Sequence, residues 1–432
     1  MSAARTSERS TISLPTSPQK TYKTPARLGT EYEEEDKNLV KSLVLSSATL
    51  KRQPDLNRKS HISKSSSSTI SSIVSQSHGL ISRGRANTDT QTVVTSTSGL
   101  KQQSANASGI DRIMGHYNQQ HQQQPPPSKP KCTLPASKCQ SGYITASKLF
   151  NMMGYGLQNQ YLFMHAHYLY IIDCRSREEF DDDHILTAIH WEDALNGTVY
   201  ISLVERFSEI VLYDEKGIAS NMSTEMRQIS NRFSPPGSRP CVILAGGFET
   251  FHTLYPFNCT QKNVRSTVDR EKFLTIYPSV VLDNQLYLGT GHQATNWKVV
   301  RDLQLTHIIN ISIEHQCVFP DKIKYLHLEL EDKEDVLLKD RFDETIRFMD
   351  TALQNPSNRI LVHCNLGISR STTLILAYLM KTYNATLYEA FRYLRHRRPI
   401  ICPNWGFLRQ LLDYENHLFS YVYTDPKDPI FY

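Results

Sequence analysis

The chain has 432 residues, enough for two or three domains with a sizeable core each. No stretch of about 18 apolar residues occurs, so no membrane span is expected, and Met1 to Lys20 lacks the apolar run of a secretory leader. The net charge of +5 is uneven: residues 1–131 carry 18 Lys/Arg against 9 Asp/Glu, yet these charges are scattered among few aromatic rings, which argues against nucleic-acid binding. The eight cysteines (132, 139, 174, 241, 259, 317, 364 and 402) form no Cys-x-x-Cys pair. That pattern fits a reduced compartment, the cytoplasm first with nucleus and mitochondrion left open, and no metal site or cofactor is expected.

Residues 1–135 read as a disordered tail. Ser65 to Ser68, the Gln-rich 118–124 stretch and Pro125 to Pro127 offer little apolar surface to offset ordering entropy. Ordered sequence begins near Ile144, where Thr145 to Leu149 reads as a helix start. Tyr168 to Ile172, Ile210 to Tyr213 and Cys241 to Leu244 are short apolar runs suited to buried parallel strands, separated by helical stretches. The alternation predicts an α/β layer fold.

The set Ile172-Asp173-Cys174-Arg175, Phe180, His184-Ile185, Val211 to Asp214 and Leu244 to Phe248 resembles a rhodanese-like domain over residues 141–262. Active rhodaneses place a cysteine where this chain has Asp214, and a carboxylate cannot carry a persulfide. The resemblance therefore implies a non-catalytic module for docking or support, with Cys174 and Cys241 as core residues.

A second ordered block follows. Gln285 to Gly289, His307 to Ser312, Tyr325 to Leu330 and Arg359 to Val362 read as strands, and Phe342 to Leu353 as a helix with Phe342, Ile346 and Met349 on one face. The last strand runs into His363-Cys364-Asn365-Leu366-Gly367-Ile368-Ser369-Arg370-Ser371, with a helix from Ser371 to about Tyr383. A Cys-x5-Arg loop between a buried strand and a helix can aim successive N–H groups, and the positive end of the helix, at one dianion. The same field favours thiolate over thiol, making Cys364 a nucleophile. Arg370 offers a planar fork for phosphate oxygens. Ser371 can donate to the sulfur as it leaves.

This block, 275–420, resembles the dual-specificity family of protein tyrosine phosphatases. Beyond the loop, Tyr287-Leu288-Gly289, Ile309 to Ser312, Ala377 to Met380, Glu389-Ala390, Arg397 to Asn404, Phe407, Gln410 to Leu412 and Glu415 match in order. The resemblance implies Cys364, Arg370, Asp332 and Ser371 as the catalytic set, with Asp332 as general acid and Asp335 as its alternative. It implies residues 365–370 as the phosphate cradle, and His363, Asn310 and Asn404 as supports. A rhodanese-like domain before this phosphatase occurs in the mitogen-activated protein kinase phosphatases and in the serine/threonine/tyrosine-interacting-like proteins, some of which lack the cysteine. The expected activity is hydrolysis of phosphotyrosine and phosphoserine/threonine, with phosphoproteins, kinases among them, as partners. The alternative is a phosphoprotein-binding scaffold with little turnover. Kinase docking by a basic cluster is expected to be weak or absent, since Ile185 to Tyr200 holds no Lys or Arg, and Arg175 and Arg177 are partly offset by Glu178 and Glu179.

Overall fold

A computed structural model describes residues 127–135, 141–157, 160–165, 168–197, 207–217, 222–234 and 240–431. The amino-terminal part is a parallel sheet built from β1 (Tyr143–Ile144), β2 (Leu169–Asp173), β3 (Ile189–His190), β4 (Glu209–Tyr213) and β5 (Val242–Leu244), in the order β1-β5-β4-β2-β3. Helices α1 (Ala146–Met153), α2 (Arg177–Asp182), α3 (Trp191–Asn196), α4 (Thr224–Phe233) and α5 (Gly247–Leu254) cover it. Their starts are written in side chains. Thr145 caps α1, and Ser176 with Glu179 forms a reciprocal capping box on α2.

After α6 (Thr267–Phe273) comes a second sheet of β6 (Ser279–Leu282), β7 (Leu286–Thr290), β8 (His307–Asn310), β9 (Lys324–His327) and β10 (Ile360–Cys364). Its order is β6-β7-β10-β8-β9, parallel except for the β6-β7 pair. Helices α7 (Gly291–Ala294), α8 (Trp297–Asp302), α9 (Phe342–Leu353), α10 (Arg370–Tyr383), α11 (Leu387–Arg397) and α12 (Trp405–Phe419) pack around it. Central β10 is buried throughout, as a strand covered on both faces must be.

Side-chain alternation decides which core each strand feeds. Leu286, Leu288, Ile309, Ile360 and Val362 point into a cluster with α9 to α12. Tyr287, Ile308 and Leu361 point the other way, into a cluster that also receives Leu169, Ile171, Val211 and Tyr213 of the first sheet. The two sheets therefore share one apolar core. Tyr170, Ile172 and Leu212 line the opposite face of the first sheet with Cys174 and Cys241, both buried as expected.

Three expectations need correction. Residues 127–135 do not behave as tail: the Thr133 N–H donates to Tyr383 O (2.8 Å) at the end of α10, and Cys132 and Leu134 pack on the adjoining core. The second block does not stop at 420 either, because Thr424 bonds buried Glu415 and Phe431 packs edge-on against Phe391. The third concerns which acids offset the two arginines. Arg175 pairs with Asp173 (2.7 Å) and Glu215 (3.4 Å), and Arg177 with Asp193 and Glu192, whereas Glu179 is used in the cap of α2.

Candidate active site

The site is built where β10 stops. Parallel pairing with β7 and β8 sets Cys364 level with Thr290 and His363 level with Asn310. Between Cys364 and α10 the chain makes one tight loop, and its carbonyls are all claimed from behind. Asn365 O accepts from Gly291 N–H (3.1 Å) and Ile368 O from Cys402 N–H (2.9 Å). Gly367 O accepts from Arg398 Nε (2.8 Å) and Leu366 O from Arg398 Nη2 (3.1 Å). In a planar trans peptide the N–H points opposite to the C=O. Tying these carbonyls outward therefore turns the following N–H groups inward, as Gly367 N–H already does toward Cys364 Sγ at 3.3 Å.

Gly367 has φ +69°, in the left-handed region, and a Cβ there would collide with Gly289 O. Cys364 itself is buried, and its sulfur also accepts from Ser371 Oγ at 3.2 Å. Ser371 thus lies where donation to a departing sulfur is possible.

Arg370, the first residue of α10, is buried. Its Nη1 and Nη2 donate to Glu314 Oε2 and Oε1 (2.9 and 2.8 Å), and Nη1 also to Leu330 O (2.8 Å). Its Nε has no hydrogen-bond partner and lies 3.9 Å from Asp332 Oδ2. Burial opposes the Arg370 charge, but Glu314, Cys364 and Asp332 outweigh it and raise the guanidinium pKa. Burial likewise opposes the Glu314 carboxylate, yet its bonds to Arg370 bring it below its ordinary value.

Asp332 and Asp335 separate clearly in space. Asp332 Oδ1 accepts from Ser369 Oγ (2.7 Å) in the loop and from Asn404 Nδ2 (2.9 Å). Asp335 is exposed, and among the described residues it makes no hydrogen bond to the loop. Asn404 caps α12 by accepting from Phe407 N–H, and its own N–H donates to Ser369 Oγ (3.1 Å). Asn310 stands one step further back than expected. Its amide binds His315 O (2.7 Å) and accepts from Ser312 Oγ, and only His315 touches the loop, through Asn365 Oδ1 (3.0 Å). His363 is buried with its pKa pushed down to about 4 by desolvation, so its imidazole is neutral, and its Nδ1 lies 3.1 Å from Cys364 O.

Glu314 and Arg398 were not singled out by sequence. Glu314 is one acid in an irregular loop, and nothing in its spacing points to Arg370. Arg398 lies inside the Arg397 to Asn404 string, but its role depends on a carbonyl contact that only folding creates.

A strand–cysteine loop–helix unit with an arginine fork and a carboxylate poised over it defines a cysteine-dependent phosphatase site. The family model described as dual specificity phosphatase, catalytic domain, matches residues 286–417, and the rhodanese-like domain model matches residues 159–254. A dual specificity protein phosphatase 1 from Arabidopsis thaliana is 38% identical over 141 residues, covering 33% of this chain and 70% of that protein. A probable rhodanese domain-containing dual specificity protein phosphatase from Dictyostelium discoideum is 36% identical over 178 residues, covering 41% of this chain and 37% of that protein. A human tyrosine phosphatase-like serine/threonine/tyrosine-interacting protein is similar in structure at 34% identity, with a TM-score of 0.31, covering 33% of this chain and 97% of that one. The chain belongs to the dual specificity protein phosphatases and carries a rhodanese-like domain ahead of the catalytic one. It spans between 24% and 55% of the length of the first curated relatives it matches.

Proposed function

We propose that the chain hydrolyses phosphotyrosine and phosphoserine/threonine in proteins through a phosphocysteine intermediate. The observation that carries this reading is the sulfur of Cys364 accepting from Gly367 N–H in a loop that ends at Arg370 and is bonded through Ser369 to Asp332. The phosphate oxygens bind the N–H groups and Arg370, and Cys364 thiolate attacks phosphorus. As the P–O bond to the substrate breaks, Asp332 gives its proton to the leaving oxygen. Water then attacks the phosphocysteine and yields its proton to the Asp332 carboxylate. The P–S bond breaks, inorganic phosphate leaves, and Ser371 donates to the returning thiolate. Phosphoproteins are the substrates on this reading, and a reducing compartment such as the cytoplasm keeps the thiol usable.

The test is turnover by the whole chain of phosphotyrosyl and phosphothreonyl peptides. Wild-type protein should release phosphate, and Cys364→Ser should release none while still binding the peptides, because a serine hydroxyl stays protonated in the same field. Equal hydrolysis by Cys364→Ser overturns the assignment. Peptide binding by wild type without phosphate release would favour the scaffold reading instead.

A further inference from the structure

The shared core places the rhodanese-like domain directly behind the phosphate loop, and a continuous set of hydrogen bonds connects the two. Asn151 on α1 is buried, only 2% exposed. Its Oδ1 accepts from Val280 N–H (2.7 Å) and its Nδ2 donates to Val280 O (3.0 Å), so one amide satisfies both backbone groups of a residue on edge strand β6. The neighbouring residue on β6, Ser279, accepts from Arg398 Nη1 through its hydroxyl (3.2 Å). Arg398 also donates from Nε to Gly367 O and from Nη2 to Leu366 O, and Gly367 N–H meets the Cys364 sulfur.

The contact has further members. Ser147 of α1 donates to Asp283 (2.9 Å), just past β6, and Tyr155 OH lies 3.4 Å from His396 O, two residues before Arg398. Gly154 packs so closely on Tyr277 O that a Cβ there would stand 2.7 Å from it. Arg398 has no carboxylate within ion-pair distance among the described residues, and burial lowers its pKa to about 10. A buried cation bound to neutral oxygens is sensitive to where those oxygens are held.

We propose that the rhodanese-like domain is a positioning element of the phosphatase: Asn151 fixes β6, β6 sets Ser279 beneath Arg398, and Arg398 holds the carbonyls that keep the loop N–H groups turned inward. Asn151, Ser279 and Arg398 touch no reacting atom and act through the loop. This inference rests on the phosphatase reading for its consequence but not for its geometry.

The whole chain and its Asn151→Ala, Ser279→Ala and Arg398→Met variants are compared for turnover of para-nitrophenyl phosphate. The same changes on a Cys364→Ser background are titrated with tungstate by calorimetry. Displacing the cradle predicts losses in kcat/KM of roughly 10–10²-fold for Asn151→Ala and Ser279→Ala, with weaker tungstate binding to match. Because the residues act in series, neither change should add to the Arg398→Met loss. Rescue is built in, since Asn151→Asp keeps the acceptor for Val280 N–H and should retain more of both than Asn151→Ala. It also replaces Asn151→Ala in every comparison if that protein does not fold. Unchanged kcat/KM and tungstate affinity, or losses that simply add to that of Arg398→Met, overturn the proposal. Should wild type release no phosphate, the catalytic reading fails, and the tungstate titrations still decide the positioning one.

Discussion

Asp332 shows how a residue's role is decided by what its neighbours leave free. Oδ1 is taken by Ser369 and Asn404, while Oδ2 faces the Arg370 guanidinium at 3.9 Å and accepts no hydrogen bond among the described residues. Asp332→Asn keeps the shape and removes the proton, so turnover of alkyl and ordinary aryl phosphates should fall about 10²–10⁴-fold. For esters whose leaving group needs no proton the loss should shrink. Asp335→Asn should have neither effect, and kcat measured across a series of leaving groups checks both. The sequence string leaves the proposed acid open between Asp332 and Asp335, because both aspartates sit in a loop without periodicity. The proposed nucleophile stands out at once in the sequence, since Cys364 and Arg370 lie in one short segment. Glu314 does not, because it reaches Arg370 from a separate loop.

Strands and helices were the most legible level. Buried parallel strands are short apolar runs, and capping residues mark helix starts, so β2, β4, β10 and α1 follow from residue type. The 127–135 segment was not legible for a physical reason. It carries few apolar side chains, and its ties include a backbone hydrogen bond to Tyr383 O, a contact from Thr133 Oγ1, a hydrogen bond from Tyr423 OH to Ser128 O (3.2 Å), the Lys129–Glu389 pair at 2.8 Å and the packing of Cys132 and Leu134. Composition cannot reveal such a strap. Removing residues 1–126, whose composition offers little core, should leave the melting temperature near that of the whole chain. Removing 1–135 should also uncover the apolar surface under Cys132 and Leu134, at a cost of roughly 1–3 kcal/mol. Thermal melts of the two truncations distinguish these outcomes. Equal melting temperatures would show that the strap contributes nothing.

At the scale of the whole molecule, two sheets feeding one core make the catalytic domain dependent on its neighbour. A fragment of residues 275–431 would lose Phe150 and Phe257 from the Tyr277 ring and Asn151 from Val280, and with them part of the shared cluster. It should melt well below the whole chain and bind hydrophobic dyes, as a calorimetric scan and dye fluorescence would show. The same architecture bears on partners. Resemblance to the mitogen-activated protein kinase phosphatases raises docking by a basic cluster on the rhodanese-like domain, where attraction to an acidic groove raises on-rate and affinity together. Here Arg175, Arg177 and Arg265 are already committed. Arg175 is buried, bound twice by Asp173 and stacked 3.7 Å over the Phe248 ring, so it cannot reach a partner. Arg177 and Arg265 converge on Asp193, with Glu192 beside them, which leaves little net positive charge on that surface. Binding of such kinases to the whole chain in this mode should therefore be weak or absent at physiological salt. Arg177→Ala, which removes a partly exposed cation without touching the core, should change kinase affinity by less than about twofold. A titration giving near-micromolar affinity that Arg177→Ala and Arg265→Ala abolish would show that these arginines leave their acids to dock.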